Sequence, residues 1–417
     1  MSLRRGILSV AMGLAVFGCV GLSRGPAVPV GLEDRATVLG FSDIRYWGDE
    51  ASPRMAADAA EAVRRERALH PELGPDDPLP PASYLAISGG GEDGAFGAGI
   101  LVGWTAAGTR PEFKLVTGIS TGALTAPFAF LGPAYDAQLK HVYTDITVDD
   151  VAEPRGVVST FLDDAAADTT PLRRTLAHYI TPQLLDAIAA EDAKGRILFV
   201  STTNLDARRP VIWNMTRLAA SHRPEAVQLF QDILVASAAI PGAFPPVMID
   251  VEVDHQHYQE MHVDGGASAQ VFVYPPELDF AGLAARHGIR RERRLYVIRN
   301  ARLDPQWAQV DRWTLSIAQR AVSSLTQTQG VGDLYRIYLQ TQRDNIAFNL
   351  AYIPASFDLP YEEPFDVTYM RPLFNLGYSL SAKGYPWAKV PPAFSTAEAE
   401  ALKEAPAGSS TDIGSRP

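Results

Sequence analysis

Between residues 82 and 300 the chain alternates short apolar runs with longer stretches of mixed apolar and polar residues. The apolar runs at 84–87, 113–116, 197–202, 211–213, 262–263 and 295–299 have strand length, and several are bounded by glycine, proline or asparagine. Helix-like stretches follow the first two, up to Trp104 and over 123–131. Strands alternating with helices predict an α/β domain whose central sheet is largely parallel and covered on both faces. Upstream, 54–69 is rich in alanine, arginine and glutamate, which favours helix. His70-Pro71 and Gly74-Pro75 end that run, and Pro78, Pro80 and Pro81 mark a linker. Beyond residue 305 the period becomes helical. Trp313, Ile317, Ala321 and Leu325 share one stripe, and Leu334, Ile337 and Tyr338 another. Both stripes are expected to pack on the sheet. Residues 345–353 suit a late strand, 369–380 suit core packing with a share in an apolar pocket, and 395–417 are expected to fray.

Composition narrows this picture in two places. With 417 residues and 47% hydrophobic content, the chain can bury a large core. Its net charge of −11, with no basic stripe, excludes nucleic acid as a partner. The one cysteine, Cys19, allows no disulfide within the chain. No group of His, Cys, Asp and Glu has metal-ligand spacing, His255-x-His257 being a pair without partners. Neither metal nor cofactor is expected.

The chemistry centres on Gly118-Ile119-Ser120-Thr121-Gly122, between an apolar strand and a helix-like run. A serine hydroxyl is a weak nucleophile unless a sharp strand-to-helix turn lifts it clear, and the flanking glycines permit that bend. Upstream stands Ser88-Gly89-Gly90-Gly91-Glu92-Asp93-Gly94. Gly89-x-Gly91-x-x-Gly94 also fits the dinucleotide fingerprint. That reading lacks its acidic residue, because Glu112 precedes the second strand and Ser120 closes it. No Gly-Lys-Ser/Thr follows, so a phosphate-binding loop fails as well. Downstream come the block from Ala236-Ser237 to Pro245-Pro246, and then His262-Val263-Asp264-Gly265-Gly266. Read locally, Asp264 is a turn cap. His255, His257, His262 or His287 would complete a serine–histidine–acid triad if one exists, and His287 fits the chain order of acid before histidine. His262 and Asp264, two residues apart, would share one face of a strand.

These four blocks, in this order, resemble the patatin-like phospholipase family over roughly residues 82–300. The resemblance implies a three-layer α/β/α fold with a mostly parallel central sheet, here extended by a helical C-terminal region. It implies that Ser120 is the nucleophile and Asp264 its direct partner, a Ser–Asp dyad without histidine. Gly118 and Gly122 would form the elbow, and Gly265 and Gly266 the base motif. The Gly89, Gly90, Gly91 and Glu92 loop would supply backbone N–H donors to the oxyanion. The activity implied is hydrolysis of carboxylic esters of membrane lipids through an acyl-enzyme, of phospholipase A or lysophospholipase type. General esterase, thioesterase or acyltransferase activity would use the same dyad, and a catalytically silent, membrane-tethered binding protein is the alternative outside enzymes. The family often carries a basic residue just before the last glycine of the loop, where this chain has Glu92-Asp93. Phe244 is expected near the pocket mouth.

Arg4-Arg5, an apolar stretch over 6–18 and Cys19 resemble a bacterial lipoprotein signal with its modified cysteine, although Phe17 stands where a small residue is usual. Lipidation of Cys19 would tether the protein to a membrane surface, and Val20 after it suits the outer membrane facing the periplasm; simple secretion is the alternative. The expected organisation is a signal peptide at 1–18, a tether and helical segment at 19–81, a catalytic domain at 82–300, a helical extension at 301–394 and a tail at 395–417. A lipid substrate and a membrane surface are the partners expected, with no obligate protein partner.

Overall fold

The computed structural model describes residues 23–74, 76–155, 164–360, 363–392 and 394. Cys19, the signal segment and the tail at 395–417 lie outside the described residues. Nine strands form one mixed sheet. They are β1 (Arg45–Trp47), β2 (Ala82–Ile87), β3 (Phe113–Gly118), β4 (Ile197–Asn204), β5 (Arg209–Asn214), β6 (Val247–Val253), β7 (Gln256–Asp264), β8 (Arg293–Arg302) and β9 (Ala347–Ile353). The order is β1-β5-β4-β3-β2-β8-β9. From β4 to β9 all neighbours are parallel. At the other side β5 and β1 add antiparallel strands, and the β6–β7 hairpin joins through β4.

Alternation along the central strands separates two cores. Leu85 and Ile87 of β2, Val116 of β3 and Ile298 of β8 point into one, together with Phe96, Ile100 and Phe130. Tyr84, Ala86 and Val297 point into the other, against Leu334, Ile337 and Tyr338. Each fully buried leucine, isoleucine or phenylalanine stabilises such a core by about 1.5–3 kcal/mol. Helix α1 (Pro53–Ala68) begins at Ser52, whose side chain accepts from the Met55 N–H. Helix α2 (Gly94–Ala106) is buried nearly all round, as an element enclosed between layers must be. Helix α3 (Thr121–Leu131) follows β3 directly.

The region after residue 300 is mainly helical and shares the sheet. A 30-residue helix, Thr314–Arg343, leads into β9, which pairs with β8. The C-terminal helix Val367–Ala382 lies against α2 at glycine contacts: a Cβ at Gly99 would strike the Phe374 carbonyl, and one at Gly377 the Phe96 carbonyl. One expectation fails here. Leu334, Ile337 and Tyr338 are buried, but Trp313, Ile317 and Leu325 are 57%, 54% and 70% exposed, so that stripe is not buried against the sheet. Periodicity reports that a helix has an apolar face; it does not say what covers it.

No helix among the described residues is long and apolar enough to cross a membrane.

Candidate active site

Two strands ending at one place build the site. Residues 198–200 of β4 pair with the end of β3, Gly118 lying opposite Val200. Two residues further along, Thr202 pairs with Asp264 at the end of β7. The carboxylate thus arrives where the chain leaves β3 for α3. Between them Ser120 adopts φ 55° and ψ −125°. This region is sparsely populated by non-glycine residues and persists only when surroundings impose it. The impositions are visible. The Ser120 N–H donates to Ser237 Oγ at 3.0 Å, and Ser237 Oγ–H donates to the Ser201 carbonyl at 2.7 Å. A Cβ at Gly118 would strike the Gly122 carbonyl, and one at Gly122 the Ile87 carbonyl. Both glycines are therefore required by close approach.

Asp264 is 5% exposed and Ser120 7%. Burial pushes the Asp264 carboxyl up to about 6, opposed by its contact with the Ser120 hydroxyl and by the Gly266 N–H, which donates to Oδ1 at 2.7 Å. A carboxylate so placed is a far better base than a solvated one near 3.8. Gly265 must lack a side chain, since a Cβ there would press on the Ser201 carbonyl at 2.5 Å.

His262, two residues from Asp264, is engaged elsewhere. Its Nδ1 meets Thr202 Oγ1 at 2.8 Å and its Nε2 meets Glu260 Oε2 at 3.1 Å. Burial lowers its pKa, against the attraction of Glu260. His255 and His257 are exposed at the β6–β7 turn, and His287 is exposed after a short surface helix. No histidine among the described residues is placed to complete a triad with Ser120. No cluster of three potential metal ligands occurs among the described residues.

The glycine loop lies beside the elbow, a Cβ at Gly89 falling 3.2 Å from Ser120 Cβ. Its expected donors need one correction. The Gly89 N–H donates to the Gln270 carbonyl at 3.1 Å and is spent on holding the loop. Gly90 and Gly91 have φ 156° and 57°, and their N–H groups meet no acceptor among the described residues. A Cβ at Gly90 would collide with the Asn300 carbonyl. Successive free N–H groups in a glycine loop make an anion-binding concavity. Helices α2 and α3 both begin at this place, where a Cβ on Gly94 would touch Thr121 Oγ1.

Strand β8 supplies residues that the sequence did not flag. Asn300 N–H donates to Ser88 Oγ at 2.8 Å and Asn300 Nδ2 to the Ser88 carbonyl at 3.0 Å. The Gly97 N–H donates to Asn300 Oδ1 at 3.1 Å. Arg299 is 3% exposed and donates through Nη1 to Ser88 Oγ and the Gly89 carbonyl, both at 3.2 Å. Burial lowers its pKa to about 10, opposed by Asp333 and Asp93. A buried cation thus sits directly under the loop whose own sequence is acidic. Asp93 is pushed up to about 7 by burial, against the Tyr369 hydroxyl that donates to it at 2.6 Å. An Arg-Asn pair closing an apolar strand was the available signal for β8; Ser237 lay in a block read as structural.

An apolar cleft opens from Gly91 and Thr121. Leu124, Phe128, Ile146, Leu172, Leu176 and Phe244 are among its walls, and Met370 from the C-terminal helix joins them. The cleft is narrow, with a cavity volume of about 70 Å³.

An elbow serine at the end of a parallel strand, a buried aspartate against it and a glycine loop with unpaired N–H groups at Gly90 and Gly91 thus meet at one end of the sheet. The family model for patatin-like phospholipases matches residues 85–275, so the chain carries a patatin-like phospholipase domain. No curated protein matches the chain. A crystal structure of VipD from Legionella pneumophila is similar at 12% identity and a TM-score of 0.36, covering 72% of this chain and 66% of that one. The chain thus spans just under two thirds of that protein.

Proposed function

We propose that the chain is a serine lipid acyl hydrolase of phospholipase A or lysophospholipase type, working through a Ser120–Asp264 dyad. The observation that carries this is the contact of a buried, elevated-pKa carboxyl with a strained elbow serine beside an apolar cleft. The ionised Asp264 takes the proton as Ser120 Oγ attacks the ester carbonyl carbon. The tetrahedral oxyanion takes hydrogen bonds from the Gly90 and Gly91 N–H groups, and one such donor typically contributes about 3–4 kcal/mol to the transition state. Asp264 then gives its proton to the departing alkoxide, leaving an acyl-serine. Water, deprotonated by the same carboxylate, attacks that ester and the fatty acid leaves with Ser120 restored. The cleft would hold the acyl chain. Lipidation of Cys19 would keep the enzyme on the periplasmic face of the outer membrane.

The test is fatty-acid release from phosphatidylcholine and from p-nitrophenyl esters of several lengths, by the wild type, Ser120→Ala and Asp264→Ala, with chelator present. Phospholipid hydrolysis that vanishes in both variants and persists with chelator supports the proposal. Cleavage of short esters alone would replace phospholipase by general esterase. Failure of a fluorophosphonate to label Ser120 would point to a silent binding protein.

A further inference from the structure

A carboxylate that activates water takes one of its two protons, and the other needs an acceptor that keeps the oxygen aimed. Gln270 offers that acceptor. It follows the short turn Gly265–Ala267 that leads away from Asp264, and it is 5% exposed. Its backbone is held at both groups: the N–H donates to Asp333 Oδ2 at 2.6 Å, and the carbonyl accepts from the Gly89 N–H at 3.1 Å. The side-chain amide is turned by partners that only accept. Gln329 Nε2 donates to the Ser268 carbonyl at 2.6 Å, which leaves Gln329 Oε1 facing Gln270 Nε2 at 3.3 Å. Gln270 Nε2 also donates to the Gly266 carbonyl at 2.8 Å. Both amide protons are thereby committed, and the reverse orientation would set oxygen against two acceptors. Gln270 Oε1 remains, with no donor among the described residues. A buried acceptor in that state costs stability unless water or a ligand meets it.

Glycines keep the space around this amide open towards both members of the dyad. A Cβ on Gly89 would stand 3.2 Å from Ser120 Cβ and 3.7 Å from Gln270 Oε1, filling the gap between them. A Cβ on Gly266 would stand 3.0 Å from both Asp264 Oδ1 and Gln270 Nε2. The amide thus reaches from the serine side of the site to the aspartate side. This gives Gly89, whose N–H is spent on the Gln270 carbonyl, a separate reason to lack a side chain. Gln270 is not among the residues lining the apolar cleft, so a water beside its Oε1 leaves the cleft to the acyl chain.

We propose that Gln270 is a catalytic residue of deacylation, its Oε1 binding the water that attacks the acyl-serine. The inference rests on the acyl-enzyme route proposed above and assigns its second step. Asp264 takes one proton of the water as the oxygen bonds to the acyl carbon, while the proton held by Gln270 stays on that oxygen. The bond from the acyl carbon to Ser120 Oγ then breaks, Asp264 returns its proton to Oγ, and the carboxylic acid leaves. Gln270 stays neutral throughout. Acylation uses no water, so only the second half-reaction depends on this side chain.

The experiment separates the two half-reactions. Full-length enzyme in excess over p-nitrophenyl butyrate reports acylation as p-nitrophenol release and deacylation as loss of the butyryl mass from the protein. Gln270→Met, similar in length and without the acceptor, should acylate within about twofold of wild type and deacylate about tenfold more slowly. Acyl-Ser120 then accumulates, and under turnover kcat and KM fall together while kcat/KM holds. Gln270→Glu keeps an oxygen at this place and gives up the amide donors, and it should recover part of the deacylation rate. Loss of acylation and deacylation alike in Gln270→Met overturns the proposal, because the side chain would then only support the site. Equal slowing in Gln270→Met and Gln270→Glu also overturns it, and would assign the effect to the bonds with Gly266 and Gln329. If wild type passes through both steps and Gln270→Met matches both rates, Gln270 has no part and the proposed reaction stands. A wild type that forms no acyl-enzyme at Ser120 overturns the reaction itself, and the role of Gln270 with it.

Discussion

Replacing Asp264 by asparagine should stabilise the protein while destroying its activity, and the stabilisation should depend on pH. In the wild type, burial holds this carboxyl near 6 against an ordinary 3.8. At about 1.36 kcal/mol per decade of acid dissociation constant, that gap corresponds to about 3 kcal/mol. The sign follows from proton binding. Between pH 3.8 and 6 the native state holds more protons at this position than the unfolded chain, so wild-type stability falls as pH rises through that window and the full cost is present above it. Asparagine is isosteric, retains an oxygen for the Gly266 N–H, and never ionises. Urea unfolding of Asp264→Asn and wild type, followed by tryptophan fluorescence, should give equal midpoints at pH 4 apart from a constant offset. At pH 8 the variant should gain up to about 3 kcal/mol, less the desolvation of its own amide. The pH profile of wild-type kcat/KM should rise with an apparent pKa near 6, because only the ionised form can take the serine proton. A stability gap that is the same at both pH values, or larger at pH 4, would refute the claim that a strained, desolvated carboxylate faces Ser120.

Two further outcomes are expected from neighbouring residues. Arg299→Met removes the two hydrogen bonds under the glycine loop, and kcat should fall about 10- to 100-fold with little change in KM; Arg299→Lys, which keeps the charge, should recover part of it in steady-state kinetics on p-nitrophenyl esters. Leu176→Trp narrows the apolar cleft, and kcat/KM should drop by about fourfold for each methylene of acyl chain displaced, with acetyl esters spared, as a chain-length series would show.

Strand β3, the elbow and helix α3 were legible in the sequence because each carries a local cause: an apolar run, two glycines and an apolar helix. The strands at 84–87, 113–116 and 197–202 extend by a few residues at their ends, where pairing rather than composition decides. Asp264 could not be told from a turn cap by its neighbours; only the four-block resemblance pointed to Ser120, and the register of β7 on β4 is what brings them together. Arg299 and Asn300 act on a loop more than 200 residues earlier, a relation that no local pattern contains. Gly89 was grouped with the oxyanion donors because glycines look alike in sequence, and its N–H turned out to be committed to Gln270. Strands β1 and β6 escaped notice because they lie in the antiparallel flank, short in one case and interrupted by Asp250 and Glu252 in the other.

The pairing of β8 with β2 has a practical side. The matched family segment stops at residue 275, before β8 and β9 begin. A fragment cut there would turn β2, the strand that delivers the glycine loop, into an open sheet edge with its hydrogen-bonding groups bare and Leu85, Ala86 and Ile87 stripped of their neighbours. The loop would also lose Arg299, Asn300 and Tyr369. A piece of this chain that keeps the glycine loop supported therefore runs on past residue 275 through β8, β9 and the C-terminal helix to Ala382, about a hundred residues beyond the matched segment.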